Sequence, residues 1–235
     1  MRLDKYITQK YNIQSRNKAS ELIKANKVLV DGKIIRKPSF IIEGNEEITI
    51  NEEDFYVSRS AYKLKYFLEE NKILVKDKNA IDIGSSTGGF TQILLNNEIK
   101  SVTCVDVGTN QLHESIKNDK RIIKVENTDI RDFDINTTFD LITCDVSFIS
   151  ILNILNDINR LAHEKIIILY KPQFEVGKEI KRDKNGVVLD ISAMKKERDN
   201  FLNETEKLHW KLLLCEQSNL AGKSGNIEEL FYFEK

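Results

Sequence analysis

Two lysines and two carboxylates of this 235-residue chain have residue types and positions suited to moving a proton. Lys171 ends the apolar segment KIIILYK, and Lys63 lies on the apolar face of the segment SRSAYKLKYFL. Asp145 ends the apolar segment LITCD, and Glu228 precedes the last apolar segment. Burial and a neighbouring ammonium can lower the pKa of a lysine, which then accepts a proton from a poor nucleophile such as a sugar hydroxyl. For Lys63 taken alone, a surface lysine with a half-covered apolar stem is the alternative.

A glycine-rich loop follows an apolar segment in IDIGSSTGGF, residues 81–90. This order is typical of a nucleotide pocket, in which the loop lets the backbone approach the ligand. The glycine spacing G-x-x-x-G-G differs from the G-x-G-x-x-G of dinucleotide sites, and a Walker lysine is absent. Phe90, which we expect to pack under this loop, can instead be an ordinary phenylalanine of the core. We expect the cofactor-binding residues of this region to be Asp82, Gly84, Ser85, Thr87, Gly88, Gly89 and Phe90.

Acidic residues recur at the ends of four successive predicted strands, at Asp82, Asp106, Asp129 and Asp145. Such carboxylates would repel a diphosphate, but they suit a cationic ligand with ribose hydroxyls and an adenine amine. S-adenosylmethionine is that ligand. NAD is the alternative, because an acid such as Asp106 also binds the ribose in dehydrogenases, and each acid alone can be a turn former. The expected cofactor contacts beyond the loop are Asp106, Val107, Asp129, Ile130 and Asp145.

The elements that must position these residues alternate between strand and helix from residue 58 to the end. This alternation predicts an α/β fold of seven strands with an antiparallel C-terminal edge, and together with the cofactor inferred above it indicates a Rossmann-like methyltransferase sheet. Ligands of such sheets bind at the carboxyl ends of the strands. The predicted helices are 58–70, 88–96, 111–117, 149–161 and 195–208. The predicted strands are 80–84, 101–107, 122–125, 141–145, 165–171, 210–216 and 229–234.

The N-terminal region predicts a small α+β domain over residues 1–50, joined by a linker at 51–57 to the domain of residues 58–235. Two short amphipathic helices precede VLVDGKII, in which Asp31-Gly32 between β-branched runs indicates a type I′ hairpin. Residues 1–42 carry ten Lys or Arg against three acids. This excess indicates an anionic partner such as nucleic acid, and a solvated charged face is the alternative.

Composition excludes several classes of protein. The longest apolar runs are far shorter than the ~20 residues of a membrane-spanning helix, and MRLDKY lacks a signal-peptide core. We therefore expect a cytoplasmic protein, and a membrane-damaging activity has little support. The three cysteines and three histidines are widely spaced, without the pattern of a disulfide framework or a metal site. We expect buried, inert thiols and no metal.

Six sequence blocks carry a family resemblance in order and over nearly the whole chain: VSRSAYKL, DIGSSTGGF, VDVG, CDVSFIS, YKPQFEVGK and SGNIE. They resemble the TlyA family of 2′-O-ribose rRNA methyltransferases, also called haemolysin A. The catalytic part is similar to FtsJ-type enzymes, and the N-terminal part is similar to the S-four RNA-binding domain, or α-L motif.

The resemblance implies a catalytic Lys-Asp-Lys-Glu tetrad at Lys63, Asp145, Lys171 and Glu228. Lys171 would handle the proton, and the other three would orient it and the ribose. The implied substrate is a cytidine of ribosomal RNA, in the large subunit (23S) and, for longer members, also in the small subunit (16S). This chain is shorter than those members at both ends, so we expect 23S rRNA first. The implied RNA-binding residues are Arg2, Lys5, Arg16, Lys18, Lys37 and Arg59.

Two alternatives stay open. The chain can be a non-catalytic RNA-binding or ribosome-assembly factor built on a methyltransferase fold, or, more distantly, a redox enzyme.

The polar segment EVGKEIKRDKNG, residues 175–186, is interpreted as a mobile flap that brings Lys178, Lys181 and Arg182 near RNA phosphate. A plain solvated loop is the alternative there.

Overall fold

The computed structural model describes residues 1–11, 13, 15–50 and 56–235 of the chain. The chain divides into two compact units, Met1–Phe55 and Tyr56–Lys235. Most of the predicted linker, residues 51–55, lies outside the described residues. The last two residues of that linker, Tyr56 and Val57, are buried in the second unit, where the Val57 amide donates to Oε1 of Gln92 at 2.8 Å. They belong to that unit rather than to a linker.

The first unit packs two helices with a three-stranded antiparallel sheet of order β2-β1-β3. Asp31 and Gly32 both have positive φ, 49° and 73°, which is the conformation of a type I′ turn, and they join β1 to β2. The predicted hairpin is therefore confirmed. The elements of the first unit are α1 (Leu3–Lys10), α2 (Arg16–Lys24), β1 (Val28–Val30), β2 (Lys33–Ile34) and β3 (Ile48–Ile50).

The second unit contains a seven-stranded sheet of order β6-β5-β4-β7-β8-β10-β9. Five strands are parallel, and β10 pairs antiparallel with both β8 and β9, so the predicted fold class is confirmed. The sheet order reverses at β4, where ligands of such sheets bind. The strands are β4 (Asn79–Ile83), β5 (Ser101–Val105), β6 (Ile122–Val125), β7 (Phe139–Cys144), β8 (Ala162–Tyr170), β9 (Lys211–Gln217) and β10 (Glu229–Glu234).

The helices of the second unit are α3 (Arg59–Glu70), α4 (Gly89–Asn96), α5 (Leu155–Leu161), α6 (Pro172–Glu175) and α7 (Ile191–Lys207). A 3-10 turn, Ile151–Ile154, precedes α5. Helix α7 begins four residues earlier than predicted, because the Asp190 side chain accepts from the Ala193 amide and caps it. None of the helices described for this chain is both long and apolar enough to span a membrane.

The helix predicted over 111–117 is wrong, since this segment forms successive turns. It follows Asn110, which has a positive φ of 52°. The His113 amide donates to the Thr87 carbonyl, and the His113 ring accepts from the Ser115 amide. These bonds to a distant loop and to a side chain compete with the helical pattern. The turns place this segment against the glycine-rich loop.

Candidate active site

Lys171 and Asp145 meet because each directly follows one of two neighbouring parallel strands, β8 and β7. The Lys171 Nζ atom lies 2.6 Å from Oδ1 of Asp145 and donates a hydrogen bond to Oγ of Ser147 at 2.9 Å. The two charged side chains are only 10% and 15% exposed. This ion pair therefore lies at the carboxyl edge of the sheet, largely shielded from water.

Lys63 and Glu228 form a second buried ion pair. Lys63 projects from α3, and Glu228 directly precedes β10. The Lys63 ammonium donates to Oε2 of Glu228, and the two residues are 7% and 3% exposed. Buried charges are tolerated only when they are paired, and each lysine here has its own carboxylate.

The two ion pairs act on one another electrostatically. Burial raises the pKa of Asp145, the ammonium groups of Lys171 and Lys63 oppose that rise, and Glu228 adds to it. The structure thus brings the four residues singled out in the sequence into one charge-balanced cluster. A cluster of this composition can orient a hydroxyl group and assist the transfer of its proton.

The glycine-rich loop lies beside this cluster and is shaped by its glycines. Gly84 has a φ of 76°, and a Cβ atom there would lie 3.1 Å from the backbone carbonyl oxygen of Asp145. Gly88, with a φ of 88°, precedes the first residue of α4. A Cβ atom on Gly89 would lie 2.0 Å from Oγ of Ser58. A side chain at Gly84 would displace the backbone of Asp145, and one at Gly89 would displace the start of α3.

Asp82 anchors the loop from below. Its carboxylate is fully buried and accepts hydrogen bonds from Oγ1 of Thr91 at 2.6 Å and Oγ1 of Thr143 at 2.8 Å. Burial raises the pKa of Asp82 to about 6 despite these bonds. Both of its oxygens are engaged by the protein, so Asp82 ties α4 to β7 under the loop.

Two adjoining cavities open at this edge of the sheet and share Gly84, Ser86, Asp145 and Ser147. The larger has a volume of about 400 Å³, and among the predicted cofactor residues its walls include Gly84, Asp106, Val107, Asp129, Ile130 and Asp145. The smaller, about 150 Å³, contains the Lys171 end of the tetrad, and its walls include Asp82, Gly84, Ser85, Thr87, Phe90 and Asp145. A bound molecule can therefore extend from the acidic cleft to the lysine.

Asp106 and Asp129 have different environments in the larger cavity. Asp106 accepts from the amides of Ser86 at 2.8 Å and Gly108 at 2.7 Å, one on each oxygen, which fixes its orientation. Asp129 forms an ion pair with Arg131 at 2.6 Å, and hydrogen bonds from Arg131 lower its pKa to about 2. Both carboxylates retain lone pairs that can accept from a ligand.

Several residues of the site were missed in the sequence. Ser147 accepts from Lys171, and the Gln173 amide donates to Glu228 at 2.9 Å. Phe148 is 92% exposed and has a φ of 67° that is rare for a bulky residue, and the centroid of its ring lies 5.1 Å from that of Phe174, with the two rings tilted by 54°. All lie within three residues of Asp145 or Lys171, which is the signal that could have found them.

Comparison of the chain with known proteins identifies the family to which it belongs. Residues 56–235 match the FtsJ-like methyltransferase family, and residues 1–48 match the S4 domain. A 23S rRNA (cytidine-2′-O)-methyltransferase TlyA of Campylobacter jejuni is 48% identical, and the match covers 100% of both chains. The chain belongs to the TlyA family. The resemblance carried by the six sequence blocks is therefore confirmed.

Other similar proteins agree with the TlyA assignment. A 16S/23S rRNA (cytidine-2′-O)-methyltransferase TlyA of Mycobacterium tuberculosis is 36% identical over 97% of this chain and 87% of that protein. A solved structure from Streptococcus thermophilus, described as a hemolysin, is 32% identical with a TM-score of 0.72. It covers 100% of this chain and 88% of that chain. The similarity thus extends over both units.

Two of the RNA-binding residues expected from the TlyA resemblance, Arg2 and Arg16, lie around a buried acid in the first unit. Asp4, whose side chain is 3% exposed, pairs with Arg2 at 2.7 Å and with Arg16 at 3.2 Å. Hydrogen bonds from Arg2 lower the pKa of Asp4 to about 2. Both arginines remain about half exposed, so Asp4 orients their guanidinium groups while part of each side chain still reaches solvent.

The remaining expected RNA contacts differ in their surroundings. Lys5 and Lys37 are exposed, whereas the Lys18 side chain is 18% exposed and lies 3.9 Å from Glu21. Arg59 belongs to the second unit, where it is exposed at the start of α3 and donates to the Ala221 carbonyl at 3.2 Å.

The segment interpreted as a mobile flap has hydrogen bonds within itself and one from Asn226. The Arg182 guanidinium donates to backbone carbonyls, the shortest bonds being to Ile180 at 2.9 Å and Lys178 at 3.1 Å. Buried Asn226 accepts from the Val188 amide at 3.0 Å and donates to the Gly186 carbonyl at 3.2 Å. Arg182 therefore stabilises the conformation of this segment, and its approach to RNA phosphate together with Lys178 and Lys181 stays a prediction.

Proposed function

We propose that this protein transfers a methyl group from S-adenosylmethionine to the ribose 2′-hydroxyl of a cytidine in ribosomal RNA, foremost 23S rRNA. The observation that carries the proposal is the buried cluster of two lysines and two carboxylates, which opens onto the cleft beside the glycine-rich loop. The Campylobacter jejuni relative, which bears the name of this activity, supports it.

The residues of the larger cavity fit S-adenosylmethionine. The ligand is cationic, contains no phosphate, and carries two ribose hydroxyls that need acceptors, which Asp106 offers from an orientation fixed by two amides. Apolar Ile130, Val107 and Ile149 offer contact for a flat adenine ring. When bound, S-adenosylmethionine supplies a methyl carbon made electrophilic by the sulfonium.

The chain's own residues then manage the acceptor. Once Lys171 has released its own proton to solvent, its Nζ atom can accept the proton of the 2′-hydroxyl as the oxygen attacks. Asp145, 2.6 Å away, stabilises the ammonium that results, and Ser147 holds the same nitrogen from a second direction. Lys63 and Glu228 hold the ribose, and the largely buried cluster excludes water, which strengthens each of these electrostatic contacts.

The first unit supplies attachment to RNA. RNA helices are recognised mainly through shape and phosphate contacts, so a set of basic side chains without base-reading motifs is sufficient. Arg2 and Arg16, oriented by Asp4, form the centre of this set, and Lys5, Lys18 and Lys37 extend it.

The experiment is methyl transfer from labelled S-adenosylmethionine to ribosomes or rRNA from cells that lack the gene, followed by mapping of ribose methylation. We expect one or few cytidines of 23S rRNA to be labelled by the wild type and none by Lys171→Ala. Lys196→Ala, which changes a side chain 83% exposed on α7, is the matched control. Absence of label in any rRNA, with folded protein, would contradict the proposal. A Lys171→Ala variant that keeps its effect on ribosomes in cells would favour a non-catalytic RNA-binding role.

A further inference from the structure

The side chain of Gln173 holds the one oxygen of Glu228 that Lys63 does not. Its Nε2 atom donates to Oε1 of Glu228 at 2.9 Å, while Lys63 donates to Oε2. Because an ionised carboxylate only accepts, the amide must present its NH₂ group to Glu228, and this fixes which end of the amide is oxygen. The carboxylate is thus held from both sides, by residues of α3 and α6.

The fit around this contact is close. A Cβ atom on Gly222 would lie 2.5 Å from Oε1 of Glu228, so the absence of a side chain at residue 222 leaves room for the carboxylate where it lies. Gln173 itself follows Lys171 by two residues in the first turn of α6. It therefore bridges the segment that carries the proton-handling lysine and the segment that carries Glu228.

The other end of the amide is buried and unused. Oε1 of Gln173 is inaccessible to solvent, and no donor of the residues that the structure describes lies within hydrogen-bond distance of it. Leaving a buried acceptor without a donor is costly, so such a group in a native structure needs an explanation, and a ligand that completes the site is one. A nucleotide placed at the tetrad brings donors of its own, such as ribose hydroxyls.

We propose that Gln173 is a positioning residue that holds Glu228 against Lys63 and whose free amide oxygen accepts a hydrogen bond from the bound nucleotide. The inference rests on the proposed function for the identity of the ligand. The position of Glu228 in the protein alone does not depend on that identity.

The test compares Gln173→Leu with Gln173→Glu. Leucine removes both hydrogen bonds, so we expect kcat to fall by about tenfold or more and KM for RNA to rise, with the Kd for S-adenosylmethionine unchanged. Glutamate next to Glu228 creates two carboxylates that share one proton, which raises one of their pKa values. When protonated, it donates to Glu228 and keeps a carbonyl oxygen free, as glutamine does.

The expected signature is therefore a pH-dependent rescue. The ratio of kcat/KM for Gln173→Glu to that of the wild type should be near one at about pH 5 and fall about tenfold by about pH 8, as the shared proton is lost. Gln217→Glu, which adds the same charge at an exposed position of β9, should give a flat ratio. A flat ratio for Gln173→Glu, or a leucine variant with wild-type kinetics, would overturn the inference.

A crystal structure of Gln173→Leu separates this inference from the proposed function. We expect the Glu228 carboxylate to leave Lys63 in the variant. If the wild type proved unable to methylate RNA, a displaced Glu228 would still support the positioning role. An unmoved Glu228 would overturn that role whatever the activity.

Discussion

The Nζ atom of Lys171 lies 2.6 Å from Oδ1 of Asp145, across the carboxyl ends of two adjacent parallel strands. The register of β7 and β8 produces this contact, since the residue that follows each strand emerges at the same edge of the sheet. The pair is therefore positioned by the rigid centre of the sheet rather than by a loop. Such support is what a proton-transfer group needs to keep its geometry through a reaction.

Replacement of Lys171 by methionine keeps the length of the side chain and removes its nitrogen. Because no group would then accept the hydroxyl proton, we expect kcat for methyl transfer to fall by about 10²- to 10⁴-fold. The Kd for S-adenosylmethionine should stay close to that of the wild type, because the predicted cofactor contacts remain. Single-turnover transfer and equilibrium binding measure the two effects. A variant that lost cofactor binding and activity together would show that Lys171 supports the cleft rather than the reaction.

Replacement of Gly84 by alanine tests the packing of the loop on Asp145. The new Cβ atom would meet a backbone carbonyl at 3.1 Å, and its φ of 76° is unfavourable for alanine. Gly186→Ala is the matched control, because Gly186 has a φ of 87° with nothing within 4 Å. The control should lose about 1–2 kcal/mol of stability and keep its activity. Gly84→Ala should lose kcat and cofactor affinity as well, as measured by transfer and binding assays.

Asp82 should give the protein a pH-dependent stability. Folding raises the pKa of Asp82 from 3.8 to about 6, so the folded state favours the neutral acid. The stability of the folded state that depends on this neutral acid is fully present below about pH 4 and is lost as the pH rises to about 6. A pKa difference of about two between the folded and unfolded states corresponds to about 3 kcal/mol of the free energy of unfolding at neutral pH. The stability of Asp82→Asn relative to the wild type should therefore increase between about pH 4 and about pH 6. Denaturant unfolding of both proteins across this range measures it, and a constant difference would contradict it.

The sheet and the position of its ligand edge could be predicted from the sequence, because the parallel strands are short apolar runs that end in polar residues. The helix expected over 111–117 failed because bonds to Thr87 and to a histidine ring outweigh a local pattern. Gln173 was missed for a similar reason. Its partner, Glu228, is 55 residues away, and the free end of an amide has no signature in a sequence.

The basic residues of the first unit should contribute to RNA affinity through phosphate contacts. When a phosphate contact is lost, binding releases fewer counterions from the RNA. Arg2→Ala and Lys37→Ala should therefore each reduce the slope of log Kobs against log salt concentration by about one or slightly less. Arg2→Ala should have a second effect, because it removes the shorter of the two ion pairs of Asp4 and leaves the one with Arg16 at 3.2 Å, so the unit should lose stability that Lys37→Ala retains. Titrations of an rRNA fragment at several salt concentrations, with thermal unfolding alongside, separate the two. Lys196→Ala, in the other unit, controls for net charge, and an equal change of slope in that variant would show that binding follows total charge rather than this set of residues.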